Sequence, residues 1–318
     1  MKRVSLSLAI FLAICLLSSC ARQDSSEAVR IAINPWPGYE FLYLADQKGF
    51  FEAEGLDVEL LELASLADVK RVFEQERADG MASTAIEAVQ VATSSTKEIT
   101  IVLVPDYSNG GDIIVARDPI SKLEDLKGKK VGVEIGLLGT YILSRAMETA
   151  GLKADDVIEI NVEQLSAEEA LMAGQIDAMV TYPPFSTSIL KQKGIRKIFS
   201  TDQIPEEIID TVSIRADAIA EPKLWQEKFH NAWQRALDFA SNNPEEAYRI
   251  MAEREGITAK EFAEALKGMH ILNKQDQSAI LGSKKLKANL ERVCETLNRT
   301  GEMDFNCANI HTKVNASL

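Results

Sequence analysis

Residues 29–51 read VRIAINPWPGYEFLYLADQKGFF, and the way this stretch divides decides the fold. VRIAI is a short apolar run that reads as a buried strand, and YEFLYLADQK carries apolar residues at helical spacing until Gly49 ends it. Between them Pro35 and Pro37 restrict the backbone on both sides of Trp36, and Gly38 permits a close turn. A strand that passes to a helix through so stiff a turn places Trp36, Tyr39 and Glu40 beside the first N–H groups of the helix. In open α/β sheets ligands bind at the carboxyl ends of strands, which is where this turn falls.

The same alternation continues outward. LDVELLEL is followed by a helical stretch over 67–75, DGMAS leads into TAIEAVQVATS, and ITIVLV closes the run. A second set begins with KVGVEI, the loop GLLGT and the helix YILSRAMETA, and proceeds through DVIEINV, SAEEALMAG, DAMVTY and a helix over 186–193. Short strands alternating with longer helices predict mostly parallel sheets covered by helices. The connecting stretches GGDIIVARDP and IIDTVSIRAD are expected to be the two crossings between lobes, and therefore a hinge. After Glu221 the chain turns helical, with Trp225, Phe229, Trp233 and Leu237 recurring every fourth residue. That stripe reads as core packing ahead of a ligand box.

At the N-terminus Lys2 and Arg3 precede the apolar run LAIFLAICLL and then LSSC. This pattern is a basic leader, a short hydrophobic region and a small-residue cleavage site. The run falls short of the ~20 residues a spanning helix needs. Leu17, Ser18, Ser19 and Cys20 resemble a bacterial lipobox, with Cys20 lipidated; an ordinary secretory signal with an incidental cysteine is the alternative, and either way the chain is exported. The expected organisation is a signal peptide over 1–19, a lipidated tether over 20–28, the first part of lobe 1 over 29–117, and lobe 2 over 118–208. A return strand and C-terminal helices packing on lobe 1 fill 209–318. The formal charge is −13, and −15 without Lys2 and Arg3, which argues against nucleic acid as a partner. Cys294 and Cys307 read as a disulfide outside the cytoplasm; a metal site is the sharper alternative, but His311 is the one nearby imidazole and the spacing fits no zinc pattern. No metal and no cofactor is expected.

The sequence holds no nucleophile elbow, metalloprotease helix or phosphate loop. Binding groups instead fall on five turns: Trp36, Tyr39 and Glu40; Ser83, Thr84 and Glu87; Tyr107, Ser108, Asn109 and Asp112; Glu134 with residues 136–141, Gly139 and Thr140 among them; and Tyr182 with Pro183, Pro184 and Phe185. Each has a plain structural reading, Thr84 for instance as a helix N-cap. Together they are candidates for one cleft, because loops on a rigid scaffold concentrate binding groups.

At NPWPGYEFLYLADQKGFFEAEGLDVELLE, DYSNGGDIIVARDPISKLEDLKGKKVGVEIG and QIDAMVTYPPF the chain resembles the substrate-binding proteins of ABC importers of the nitrate, sulfonate and taurine type, which share a domain with binders of thiamine-pyrimidine precursors. The resemblance implies a type II periplasmic-binding fold, two doubly wound α/β lobes joined by a two-strand hinge and closing on a small ligand. It further implies a monomer that delivers ligand to an ABC permease and ATPase complex, held at the extracytoplasmic face by a lipid anchor. By resemblance the ligand-binding residues are Trp36, Tyr39, Thr84, Ser108, Asn109, Asp112, Gly139, Thr140 and Tyr182. In GLLGT, Leu137 and Leu138 stand where anion-binding relatives tend to have Ser or Thr. The five turns carry no Lys or Arg but offer Glu40, Glu87, Asp112 and Glu134, and Tyr107 and Tyr141 add to the aromatic residues. The expected ligand is therefore a nitrogen-containing heterocycle or organic cation ahead of a sulfonate or nitrate. The other classes open to the sequence are a sensor subunit docking on a membrane receptor and an enzyme similar to the pyrimidine synthases.

Overall fold

The computed structural model describes residues 28–94 and 98–316. The leader and Cys20 lie outside the described residues. Strand β1 (Val29–Ile33) runs through the proline turn into α1 (Glu40–Gln47) and α2 (Phe50–Ala53). Next come β2 (Val58–Glu62), α3 (Leu66–Glu74), β3 (Gly80–Thr84), α4 (Ala85–Ser94) and β4 (Ile99–Leu103). The chain crosses through β5 (Asp106–Ser108) and continues as β6 (Ile113–Arg117), β7 (Lys130–Val133), α5 (Leu138–Thr149), β8 (Ile158–Asn161), α6 (Gln164–Met172), β9 (Ala178–Thr181), α7 (Phe185–Ile189) and β10 (Ile195–Ser200). It returns as β11 (Asp210–Arg215), followed by α8 (Pro222–Asn242), α9 (Pro244–Glu255), α10 (Ala259–Ala265), β12 (Met269–Ile271), α11 (Lys274–Ile280), α12 (Lys284–Thr300) and β13 (Val314–Asn315).

Two large sheets result, one in each lobe, with strand orders β13-β4-β11-β3-β1-β2 and β10-β6-β9-β7-β8, and a third of two strands, β12-β5, lies at the crossing. β1 pairs in parallel with β2 and β3, and β7 with β8 and β9, as the strand–helix alternation requires. The strands that reverse direction are those next to the crossings: β11 lies antiparallel between β3 and β4, and β6 antiparallel between β9 and β10. Helix α1 turns Phe41, Leu42, Leu44 and Ala45 inward, where Phe41 meets Trp233 edge-on at 5.7 Å. Phe229 stacks on Phe51 at 5.4 Å, so the aromatic stripe of α8 is the packing face between the C-terminal helices and lobe 1.

The crossings differ from the sequence expectation. GGDIIVARDP is no connector: Ile113–Arg117 belongs to the lobe 2 sheet, so that lobe begins before residue 113 rather than at 118. The strand in IIDTVSIRAD belongs to lobe 1. The actual crossings are the stretches just N-terminal to each, 106–112 and 201–209, and they lie side by side. Ser108 N–H donates to Ile208 O at 3.0 Å, and Thr201 N–H to Asp112 O at 3.1 Å. β10 was not anticipated, because IRKIFS is a half-polar edge strand without clear alternation.

Strand β12 pairs with β5 and braces the crossing from the C-terminal side. The approach is backbone to backbone: a Cβ on Gly268 would lie 2.8 Å from Gly111 Cα, and one on Gly111 would lie 2.9 Å from Trp36 Cη2. Farther on, Cys294 and Cys307 form a disulfide, with the sulfurs 2.03 Å apart, joining α12 to the C-terminal turn. Gly268→Ala is expected to lower stability by about 1–3 kcal/mol through overpacking at the brace. Urea denaturation checks this, and a midpoint equal to wild type would contradict the tight approach.

Candidate functional site

Where the lobes meet, the proline turn, the crossing and the two facing helix starts surround a small cavity of about 20 Å³. Lobe 1 contributes Asn34, Trp36 and Tyr39 from the turn after β1, Leu66 from the start of α3, Thr84 from the end of β3, and Asp210 from the start of β11. The crossing contributes Asp112, and lobe 2 contributes Leu138 from the first turn of α5 and Tyr182 after β9. Each of the five turns singled out in the sequence thus supplies at least one lining residue.

Trp36 is held in place on several sides. Its indole N–H donates to Asp106 Oδ2 at 3.3 Å, and its ring meets Tyr182 edge-on at 6.0 Å and Tyr39 at 6.5 Å. Gly38 is obligatory here, because a Cβ would fall 1.9 Å from Asp106 Oδ2. Tyr39 OH donates to Asp210 Oδ1 at 2.5 Å. Asp210 is set beside Thr84 by the β11–β3 register. Thr84 Oγ1 donates in turn to Glu87 Oε2 at 2.5 Å, and Glu87 Oε1 accepts the Leu138 N–H of lobe 2 at 2.8 Å.

The electrostatics of this chamber are one-sided. No lining residue is Lys, Arg or His. Neither carboxylate oxygen of Asp112 receives a well-formed hydrogen bond, although the residue is 1% exposed. Asn34 Oδ1 and Tyr182 OH are also without a well-formed partner. Burial pushes the Asp112 carboxyl up to about 7, with the Ser108 hydroxyl opposing and the Glu87 charge adding to the rise. Burial likewise pushes Asp106 up to about 7, opposed by the Trp36 N–H and by a hydrogen bond with the Asp210 carboxyl. Burial and the Asp106 charge drive Asp210 well above the carboxylate range. Behind the wall, burial raises Glu134 to about 7 and lifts the Tyr39 and Tyr182 phenols.

Several residues named from the sequence lie elsewhere. Glu40 is fully buried but points away from the cavity to an ion pair with Arg254 of α9. Tyr107 is buried but faces away from the cavity, stacked on His270 at 6.2 Å with Lys285 Nζ 4.9 Å from its ring centre, because alternate residues of β5 point to opposite sides. Tyr141 is in the core, its OH directed at Glu207. Asn109 is exposed and uses its backbone N–H on Gly268 O at 2.8 Å. Ser108 Oγ bonds Thr201 Oγ1 at 2.8 Å and accepts the Asp112 N–H, so it shapes the turn that presents Asp112. Glu134 takes the Gln164 N–H at 3.5 Å behind the wall. Thr140 Oγ1 accepts from Gly136 N–H, and Gly139 fits closely over Glu134 N, so both build the start of α5 without lining the cavity. The sequence reading missed Asn34, Leu66 and Asp210 as lining residues, and it named Leu138 only within the 136–141 turn. Asp210 was discoverable: an antiparallel return strand starts, rather than ends, at the cleft.

Comparisons with known proteins agree with this architecture. The chain is 27% identical over 271 residues to a formylaminopyrimidine-binding protein of Halalkalibacterium halodurans, covering 79% of this chain and 78% of that one. It is 27% identical over 236 residues to a 4-amino-5-hydroxymethyl-2-methylpyrimidine phosphate synthase of Aspergillus parasiticus, covering 70% and 68%. Among solved structures, the periplasmic aliphatic sulphonate binding protein SsuA of Escherichia coli superimposes with a TM-score of 0.77 at 18% identity, over 91% of this chain and 97% of that one. At that identity the likeness speaks for the fold. The NMT1/THI5 like family model matches residues 36–247, and the chain accordingly belongs to the NMT1/THI5-like family and has the two-lobed fold of the periplasmic binding proteins of ABC importers.

Proposed function

We propose that the protein is an exported, lipid-anchored receptor that captures a small nitrogen-containing ligand between its lobes and hands it to an ABC permease and ATPase complex. The favoured ligand is an aminopyrimidine or another flat, donor-bearing heterocycle. The observation that carries this reading is Asp112, a buried carboxyl group on the cavity wall with no basic residue beside it in the lining and no well-formed hydrogen bond to either oxygen. A carboxyl group that titrates near neutrality can donate a proton to a ring nitrogen while it accepts from the adjacent exocyclic amine. Trp36, Tyr39 and Tyr182 supply aromatic surface for a flat ring. The open space between these walls is only about 20 Å³, so a ring enters only if the lobes part. A sulfonate would meet Asp112 and Asp210 with no cation in the lining to offset them.

Calorimetry with 4-aminopyrimidine, a guanidinium compound and methanesulfonate tests the ligand class. Binding of the nitrogen compounds with no heat from methanesulfonate is the expected pattern, and tight methanesulfonate binding alone would refute it. Asp112→Asn is expected to weaken the aminopyrimidine about 10- to 100-fold, the scale of one charged hydrogen-bonding partner.

A pH effect on the empty protein follows from the same carboxyls. Asp106 and Asp112 titrate near 7 when folded, against about 4 in an unfolded chain. Between those values the folded protein holds protons that the unfolded chain releases. Stability is therefore greatest below about pH 4 on this account and declines as pH rises through about 7. Thermal melts of ligand-free protein are expected to fall from pH 5.5 to pH 8, with a shallower fall in Asp112→Asn. A rise over that window would contradict the buried, unpaired state of these groups.

A further inference from the structure

Glu87 sits on the first turn of α4 in lobe 1, is fully buried, and spends every hydrogen bond it makes as an acceptor. Oε2 takes the Thr84 N–H at 3.1 Å and the Thr84 hydroxyl, while Oε1 reaches across the cleft to the Leu138 N–H at 2.8 Å. Leu138 opens α5, a 12-residue helix whose N-cap, Leu137, has no side chain able to satisfy the orphan N–H groups. The N-terminus of such a helix attracts negative charge, since its N–H groups and dipole point outward together. Here a side chain from the opposite lobe already supplies that charge. Thr84 and Leu138, the residues Glu87 touches, both line the ligand cavity, and Asp112, with no well-formed hydrogen bond to either oxygen, lines the same space.

We propose that Glu87 sets the charge class of the ligand: its carboxylate occupies, from within the protein, the seat at the start of α5 that an anionic ligand group would need, and the same contact ties the lobes together in the closed form. A closed cleft of this kind gains its anion–helix contact whatever enters, so the ligand need bring no negative charge. An anionic ligand would have to displace Glu87 Oε1 from the Leu138 N–H and leave that oxygen of a buried carboxylate without a donor, which is costly. The proposal deepens the ligand reading above, and rests on the interlobe cavity being the ligand site.

Thermal shift and calorimetry with acetate, methanesulfonate and 4-aminopyrimidine on wild type, Glu87→Ala and Glu87→Gln provide the test. In Glu87→Ala, acetate is expected to refill the vacated seat, raising the melting temperature saturably and binding at least about tenfold more tightly than to wild type, the scale of a partly buried anion at a helix N-terminus. Acetate should also restore part of the 4-aminopyrimidine affinity lost in that variant, as a purely structural role for Glu87 would not. Should Glu87→Ala prove too unstable to handle, Glu87→Gln, which keeps the shape without the charge, is expected to bind 4-aminopyrimidine about tenfold more weakly than wild type. Acetate affinity in Glu87→Ala equal to wild type, or undiminished 4-aminopyrimidine binding in Glu87→Gln, would overturn the proposal. Wild type that binds methanesulfonate and ignores 4-aminopyrimidine would remove the ligand reading, while the acetate comparison would still decide the role of Glu87.

Discussion

Asp106, Asp112 and Asp210 are buried where the lobes join, and no Lys, Arg or His lines the cavity they surround. Desolvation raises the pKa of carboxyl groups in that position, and leaving them unpaired is unfavourable unless a proton or a ligand satisfies them. The surrounding structure follows from this constraint. Trp36 N–H and Tyr39 OH each donate to one of the three, which fixes the aromatic wall and anchors the proline turn to the crossing. Gly38 is where it is because Asp106 leaves no room for a Cβ.

Function depends on the two lobes reading the same ligand. Lobe 1 brings most of the aromatic and acidic surface, and lobe 2 closes it with Leu138 and Tyr182. Because Glu87 spans the gap to the first N–H of α5, closure and the electrostatic character of the cleft are properties of one contact. The Gln90 side chain reinforces it, donating to Gly136 O at 2.8 Å across the same boundary. Binding energy from a ligand that satisfies Asp112 is then available to hold the lobes together.

Much of the fold was legible because local pattern and tertiary role coincide in α/β units. The strand VRIAI, the stiff turn and the helix after it are where the sequence places them, and Trp36, Tyr39, Thr84, Asp112 and Tyr182 meet at one cavity. What sequence could not convey was direction. Tyr107 and Asp106 are neighbours on β5, yet one faces away from the cavity and the other inward, and nothing in DYS says which. Glu40 looked like a cleft residue from its position, but Arg254, over two hundred residues later, draws it to the far side of α1. Asp210 was overlooked because attention to strand ends assumes parallel strands, and β11 is antiparallel. The placement of the crossings failed for a related reason: a strand following a glycine turn does not reveal which sheet it joins.

The central claim is that a desolvated, acceptor-lined chamber selects a ligand that donates hydrogen bonds and carries no negative charge. The most direct measurement is to purify the protein from its native host, denature it, and identify by mass spectrometry the small molecule released in stoichiometric amount. The account predicts a neutral or cationic nitrogen heterocycle. A stoichiometric sulfonate, carboxylate or phosphate would contradict it.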